Sequence, residues 1–473
     1  MTDIKLDQRY VARVVLEAKT PLNIASGESD LVTDSTIAVD ANGLPIIPGT
    51  SLCGVIRHIL EKHMGKEDVN NVFGFQKDSS GKGSRILFSH GHLVGSGNTV
   101  AEGMFAPDPE DSFYSELSVL PVRDHCRINE RGTAEKGGKF DEQVLYKGAR
   151  FAAEIELQGS EDDSGFWKEV LGIFRNPLFR IGGGTRKGFG KLTIKDIRDR
   201  KFNLKDNTDL QEYLNLTGSL NKTDALKPYS IDKGDDPSES ADCVTYTLTL
   251  EPEDFFMFGA GFGDAEVDMK PVYEKTIQWD NEDRPSFSDE MLLIPASSIK
   301  GAVAHRTAYH YNLEKGIYAD QLGEESDTEG HTGKNNDAVR LLFGCAKDSN
   351  EKEGDLKTGR RGAVILSDMH YTRPVEKVFN HVAIDRFTGG ALNSALYDEK
   401  VSHSLAEPVK IEITVENTEK IREENQKALQ AFEKALLDIT NGMLPLGGGV
   451  NRGHGCFTGT LYKNSEEISE ATI

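Results

Sequence analysis

The sequence predicts an α+β protein of two tandem ferredoxin-like units, each with the element order βαββαβ and inserted loops. Three observations predict it. A glycine-rich loop occurs twice, as Ile181-Gly182-Gly183-Gly184-Thr185-Arg186-Lys187-Gly188-Phe189-Gly190 and as Leu446-Gly447-Gly448-Gly449-Val450-Asn451-Arg452-Gly453-His454-Gly455. A proline-led helix start occurs twice, as Ile47-Pro48-Gly49-Thr50-Ser51-Leu52-Cys53-Gly54 and as Ile294-Pro295-Ala296-Ser297-Ser298-Ile299-Lys300-Gly301. Matched landmarks run in the same order in both halves. The offset between them grows gradually, as duplication followed by loop insertion would give.

In the first half, Val11 to Leu16 reads as a strand. Pro21 to Gly27 turns away into a polar stretch carrying Asp30 and Asp34. After the proline turn, Thr50 or Ser51 can cap a helix whose apolar face uses Val55, Ile56, Ile59 and Leu60. Arg85 to Ser89 is a second strand, and His125 to Asn129 opens a polar, glycine-containing stretch. Ala149 to Leu157 is a third strand. Trp167, Val170, Leu171 and Phe174 sit at helical spacing ahead of the glycine loop, and Leu192 and Ile194 alternate in the strand after it.

The second half repeats this order. Tyr246 to Leu250 is a strand, Phe258 to Gly263 turns away, and Asp264 and Asp268 follow. After the helix start, Leu342-Phe343-Gly344 matches Val72-Phe73-Gly74, and Ala363 to Ser367 matches Arg85 to Ser89. His381 to Asp385 matches His125 to Asn129, and Val409 to Val415 is the third strand. Leu429, Phe432, Leu436 and Ile439 mark the second helix. The expected units are residues 1–200 and 243–473, joined by a polar linker over 201–242 with a short helix near Leu210 to Leu216. The βαββαβ layout is shared with RNA-recognition-motif domains.

The chain has 473 residues, enough for two or three domains, and its 37% hydrophobic content can fill real cores. With 77 acidic against 55 basic residues the net charge is -22, which disfavours nonspecific nucleic-acid binding but allows a local basic groove. Five widely spaced cysteines indicate neither a disulfide framework nor a zinc ribbon. No signal-like segment opens the chain and no apolar run could span a bilayer, so no membrane is expected and the predicted compartment is the cytoplasm.

The glycine loops fit neither a P-loop nor a dinucleotide fingerprint, and each follows a helix instead of opening one. Gly182, Gly183 and Gly184, like Gly447, Gly448 and Gly449, would let a backbone lie against a phosphate chain. Asn451 and the cations Arg186, Lys187 and Arg452 sit where that chain would pass. The plainer alternative is a pair of tight turns. Ser51, Gly54, Ser298, Lys300 and Gly301 lie at helix starts, whose free N–H groups attract phosphate, and Arg57 follows one turn later. Cys53 stands where the second copy has Lys300.

The Ile47–Gly54 and Ile294–Gly301 segments resemble the "IPGSSLKG" segment of the RAMP superfamily of CRISPR-associated proteins, and the terminal glycine loops resemble its G-rich loop. Asp385-Arg386-Phe387-Thr388-Gly389-Gly390-Ala391 is similar to a further block of its Cas-seven-type backbone subunits in type III effector complexes. Two copies in one chain resemble the fused double-backbone subunit of subtype III-D. The resemblance implies two RAMP domains with β-hairpin thumbs. Their partners would be guide RNA, target RNA and other type III subunits: a large polymerase-like subunit, further backbone subunits and a small subunit. It implies that Asp34 and Asp268, ahead of the Ile-Pro motifs, cleave target RNA and bind Mg2+ or Mn2+. Asp30 and Asp264 are neighbours that could serve instead, and the loop after Asp268 is the longer. A non-catalytic RNA scaffold, an endonuclease trimming the guide precursor and an acidic protein-interaction scaffold remain open alternatives.

Overall fold

The structure is a computed structural model that describes residues 6–29, 33–108, 111–129, 131–230, 242–323, 328–346 and 359–469. In the first half, Gln8–Ala18 lies between Leu192–Asn203 and Arg150–Gly159, antiparallel to both. Ile86–Phe88 and Gly91–Leu93 pair with the far side of Arg150–Gly159. The sheet therefore runs fourth, first, third, second strand, the ferredoxin-like order. The second half repeats it: Phe457–Lys463, Cys243–Pro252, Val409–Glu416, Val364–Leu366. Helices Gly49–Met64 and Ser164–Gly172 cover the first sheet, and Ala296–Glu314 and Thr418–Thr440 belong to the second unit.

Strand alternation explains the core. Tyr10, Ala12, Val14 and Leu16 pack with Leu52, Ile56, Leu60, Trp167 and Val170. The other face of the same strand is also covered: Val11 packs with Phe202 and Leu226. The linker expected over 201–242 is corrected accordingly. The last strand of the first sheet runs on to Asn203, and Lys227–Pro228 adds a further strand to its edge. Buried Arg13 donates to the Thr217 and Ser219 carbonyls, pinning the polar segment to the sheet. The helix there is Asn207–Leu214, capped by the Asp206 carboxylate. These residues read as linker because apolar anchors are sparse among them. Residues 231–241 lie outside the described residues.

Capping by Thr50 or Ser51 is also corrected. The helix begins at Gly49, directly after Pro48, so both residues already sit inside the first turn. The cap acceptor comes from across the sheet instead: the Gly49 amide donates to His90 Nδ1 at 3.2 Å. In the second unit the Ala296 amide donates to Asp368 Oδ1 at 2.8 Å.

The two units interlock. Ile277 from the second half joins the first core, and Trp279 Nε1 donates to the Gly148 carbonyl at 2.8 Å under the Arg150 guanidinium. Arg123, from a hairpin of the first unit, is buried against the Glu274 and Asp368 carboxylates of the second. Burial alone would push Glu274 up. The Arg123 charge overrides it, and Glu274 is held down at about 2. Among the described residues no helix is long and apolar enough to cross a membrane.

Candidate nucleic-acid interface

Each unit raises one long hairpin, Val122–Ile128 with Ala134–Gln143 in the first and Val375–Ile384 with Ala391–His403 in the second. His125 and His381 lie within the first strands of these hairpins. His125 faces Phe140 and stacks on it at 4.9 Å; His381 faces Tyr397 and stacks at 4.8 Å. Each histidine also meets the next carboxylate at 2.8 Å, Glu142 in one unit and Glu399 in the other. Phe387, at the tip of the second thumb, is fully exposed.

Asp34 and Asp268 sit at equivalent places, at the base of their thumbs. The Asp141 amide donates to Asp34 Oδ2 at 3.1 Å, and the Asp34 amide returns a bond to Asp141 Oδ1 at 2.8 Å. The Asp398 amide donates to Asp268 Oδ2 at 3.0 Å. Both aspartates are exposed. Each is thus aimed by a main-chain bond that leaves one carboxylate oxygen for a ligand, with a second aspartate beside it. Asp264 is spent locally: its carboxylate accepts the Glu266 and Val267 amides and pairs with Lys270. Asp30 lies outside the described residues.

The glycine loops lie on the same thumb bases, and here the expectation is partly corrected. Gly182 and Gly447 have φ of 85° and 93°, and a Cβ at either would run into a carbonyl of the chain beneath, Asn23 or Met257. The Gly183 amide donates to Asn23 O at 2.6 Å and the Gly448 amide to Met257 O at 2.7 Å. The protein's own backbone, not a phosphate, demands these two glycines. Gly447→Ala should cost about 1–3 kcal/mol through the forced φ, read as a lower urea midpoint. Gly183 and Gly184, with Gly448 and Gly449, keep partly or fully exposed backbone over this seat.

The cations of the loops divide. Lys187 rests over the Phe140 ring at 4.6 Å, one residue from Asp141. Arg186 is corrected: it donates to the Gly362 carbonyl at 2.7 Å and pairs with Glu416 inside the junction. Arg452 is likewise held, on buried Glu399 at 2.5 Å, which also receives His454 at 3.2 Å. Burial would raise Glu399, but His454, His381 and Arg452 together keep it low. Asn451 is exposed beside Arg452.

The helix starts differ in the same way. Gly188 of the first loop lies against Ala296 and Asp368, so this loop abuts the helix start of the second unit. Lys300 on that helix is half-buried, and among the described residues no carboxylate is paired with it. Burial first, then Arg186 and Lys187, push it down to about 8. Arg180 adds another buried cation, bonded to the Phe189 carbonyl and the Ser367 hydroxyl. Ser298 is half-buried, and Gly301 is exposed on the same helix. In the first unit Ser51 and Gly54 remain accessible, but Arg57 is engaged by Glu61 and Asn70. Lys300 is thus a half-buried cation beside Arg186 and Lys187 at the junction, where a bound anion would offset its burial.

Sequence reasoning missed Arg123, Arg180, Asp141, Asp398 and Glu399. One signal was available: Asp141-Glu142-Gln143 and Asp398-Glu399-Lys400 repeat an Asp-Glu pair at matched places.

A profile of the RAMP superfamily matches residues 15–193 and again 280–458. Three related proteins carry the name CRISPR system Cms endoribonuclease Csm3. The one from Methanocaldococcus jannaschii is 24% identical over 213 residues, covering 42% of this chain and 83% of that protein. The one from Methanothermobacter thermautotrophicus is 23% identical over 220 residues, covering 42% and 88%. The one from Streptococcus thermophilus is 26% identical over 205 residues, covering 40% and 88%. Two solved structures are also similar. The apo state of Type III-B Cmr-beta is 17% identical with a TM-score of 0.31, over 39% of this chain and 96% of that one. Type III-B Cmr-beta bound to cognate target RNA is 16% identical with a TM-score of 0.30, over 41% and 61%.

Proposed function

Because the chain belongs to the RAMP superfamily and carries two of its units in tandem, we propose that it is a guide-RNA-binding backbone subunit of a type III CRISPR ribonucleoprotein that cleaves target RNA at its two thumb bases. The observation that carries this reading is the repeated constellation. In both units an exposed aspartate is fixed by the amide of a thumb aspartate, with the glycine-loop cation on the same strand. Lys300 and Lys187, near one another at the helix start of the second unit, would hold guide phosphates. Exposed Phe387 would wedge between bases.

Asp34 with Asp141, and Asp268 with Asp398, offer hard oxygen ligands at an open position, which fits Mg2+ or Mn2+ retaining most of its water. When bound, the cation would supply Lewis-acid stabilisation of charge on the scissile phosphate. The chain's own part is positional. The thumb amides fix each carboxylate, and Lys187 adds positive charge at the first thumb strand, which the phosphate would cross. His125 stacked on Phe140 and His381 stacked on Tyr397, each also held by a carboxylate, would stiffen the thumb bases. A non-cutting guide scaffold is the second reading, favoured by one fact: among the described residues no three His, Cys, Asp or Glu are grouped to hold a metal. Product mapping with aspartate variants separates the two.

Guide binding has its own test. Lys187→Glu with Lys300→Glu should weaken guide-RNA affinity at least tenfold and flatten its salt dependence by about 0.7 per lost phosphate contact. Because Lys300 loses its proton near pH 8 in the free protein, wild-type affinity should fall as pH rises from 7 to 9. Lys300→Met should lose most of that slope. Filter binding across salt and pH checks both.

A further inference from the structure

The loops that follow the two candidate aspartates are spent differently. The loop from Asp34 to Pro48 closes on itself: Val39 bridges Pro45, and the Asn42 and Leu44 amides donate to the Asp40 carboxylate. The loop from Asp268 to Pro295 is longer, and it sends out a hairpin, Ile277–Trp279 with Pro285–Phe287. Among the described residues these two strands pair only with each other. The hairpin does not serve its own unit; it packs into the first one, where Ile277 is part of the core and Trp279 and Phe287 lie against it.

There it meets the first thumb at both roots. The chain enters that thumb through helix Ser112–Leu117, where Phe113 packs on the Trp279 and Phe287 rings at 6.4 and 6.0 Å and Glu116 pairs with Lys275 at 2.7 Å. The chain leaves the thumb through Tyr146 to Arg150. Tyr146 meets the Phe287 ring at 4.9 Å, and the Lys147 carbonyl accepts the Ile277 amide at 2.8 Å. A Cβ on Gly148 would run into the Ile277 carbonyl. Arg150 lies over the Trp279 ring and pairs with Asp283 at 2.8 Å, and Asp283 also takes the Asn98 side-chain amide at 2.7 Å. Tyr146 Oη donates to the Val119 carbonyl at 2.8 Å, which joins the two roots. The second thumb is built otherwise. Leu145 bridges Leu22 as Ser402 bridges Phe256, so His403 takes the place of Tyr146. At the roots of that thumb the described residues leave clefts, about 450 Å³ beside His403 to Pro408 and about 660 Å³ beside Thr372 and Arg373.

We propose that the hairpin is a brace gripping the first thumb at both roots, and that Trp279 and Asp283 are positioning residues for the cut made at Asp34. The Asp34 carboxylate takes its bond from an amide of that thumb, so a tilt of the thumb would carry it away from the glycine loop. Asp268 takes its bond from the second thumb instead. Misplacing a reacting group by about 1 Å can cost about a hundredfold in rate, and loss of the brace therefore falls on one cut and spares the other. The inference rests on the reading of Asp34 as a cutting site.

The test has two arms, both on Trp279→Ala with Asp283→Ala. In the full chain without RNA, amide hydrogen exchange of the thumb roots, residues 112–119 and 144–150, should quicken at least tenfold. Exchange of the central strand Gln8–Ala18 should stay as in wild type, showing that the unit is folded. Asp283→Ala alone leaves the Trp279 ring in place; it should move the same segments in the same direction, and it carries this arm if the double variant does not fold. In the assembled ribonucleoprotein with matched target RNA and Mg2+, the cut that Asp34→Ala erases should slow at least tenfold or spread to adjacent nucleotides. The cut that Asp268→Ala erases should keep its rate and position. Unchanged exchange at the roots overturns the proposal, and so does a rise that is uniform across the unit. Two cuts altered alike, or neither altered, overturn it too. If no cut depends on either aspartate, the cleavage reading fails, while exchange at the roots still decides the brace.

Discussion

Arg123→Met is expected to destabilise the protein by about 3–5 kcal/mol, because it strands two carboxylates in a buried junction. Arg123 is held by Glu274 through both terminal contacts, by Asp368, and by the face of Phe189 at 4.9 Å. Asp368 in turn caps the Ala296 amide, so the helix start carrying Ser298 and Lys300 depends on the same cluster. Methionine preserves the volume and removes the charge, so packing loss alone predicts a far smaller change. Urea denaturation followed by circular dichroism reads the difference. The sign with pH is fixed. Glu274 is held at about 2 against a usual 4.5, so its stabilisation is complete above about pH 4.5 and fades as pH falls toward 2. The variant should lose that acid dependence, and a wild-type profile flat down to pH 2 would contradict the assignment.

The double change Asp34→Ala with Asp268→Ala should lower the rate of target-RNA cleavage by about 10²–10³-fold, the usual effect of removing a group that stabilises transition-state charge. Guide retention should be unchanged. Neither carboxylate supports the core: both are exposed, and among the described residues each accepts a single main-chain bond. Melting temperature should therefore move little, which separates loss of chemistry from loss of fold. Asp264→Ala should instead disturb the loop, since that carboxylate holds two amides of its own turn.

Much of the fold was legible because strand and helix periodicity and two repeated motifs recur in one order. Tyr10, Ala12, Val14 and Leu16 alternate into the core as their spacing implied. The repeated glycines marked where the chain crosses itself closely. Sequence shows that a residue without Cβ is needed, but not whether ligand or protein comes close; at Gly182 and Gly447 it is protein. The carboxylate partners of two loop cations were not legible. Glu416 and Glu399 lie 230 and 53 residues from Arg186 and Arg452, and no local pattern reveals so distant an ion pair. Cross-unit packing was equally hidden: Lys300 read as a local helix-start residue, whereas burial, and then Arg186 and Lys187 of the other unit, disfavour its charge.

The proposal of two separately addressable cutting sites is tested most directly by mapping the products of single variants. Ribonucleoprotein assembled with wild type, Asp34→Ala or Asp268→Ala would be given matched target RNA and Mg2+, and every cut located to the nucleotide. Each substitution should erase one cut and leave the other in place. If both single variants give the wild-type pattern, the thumb-base aspartates do not cut RNA.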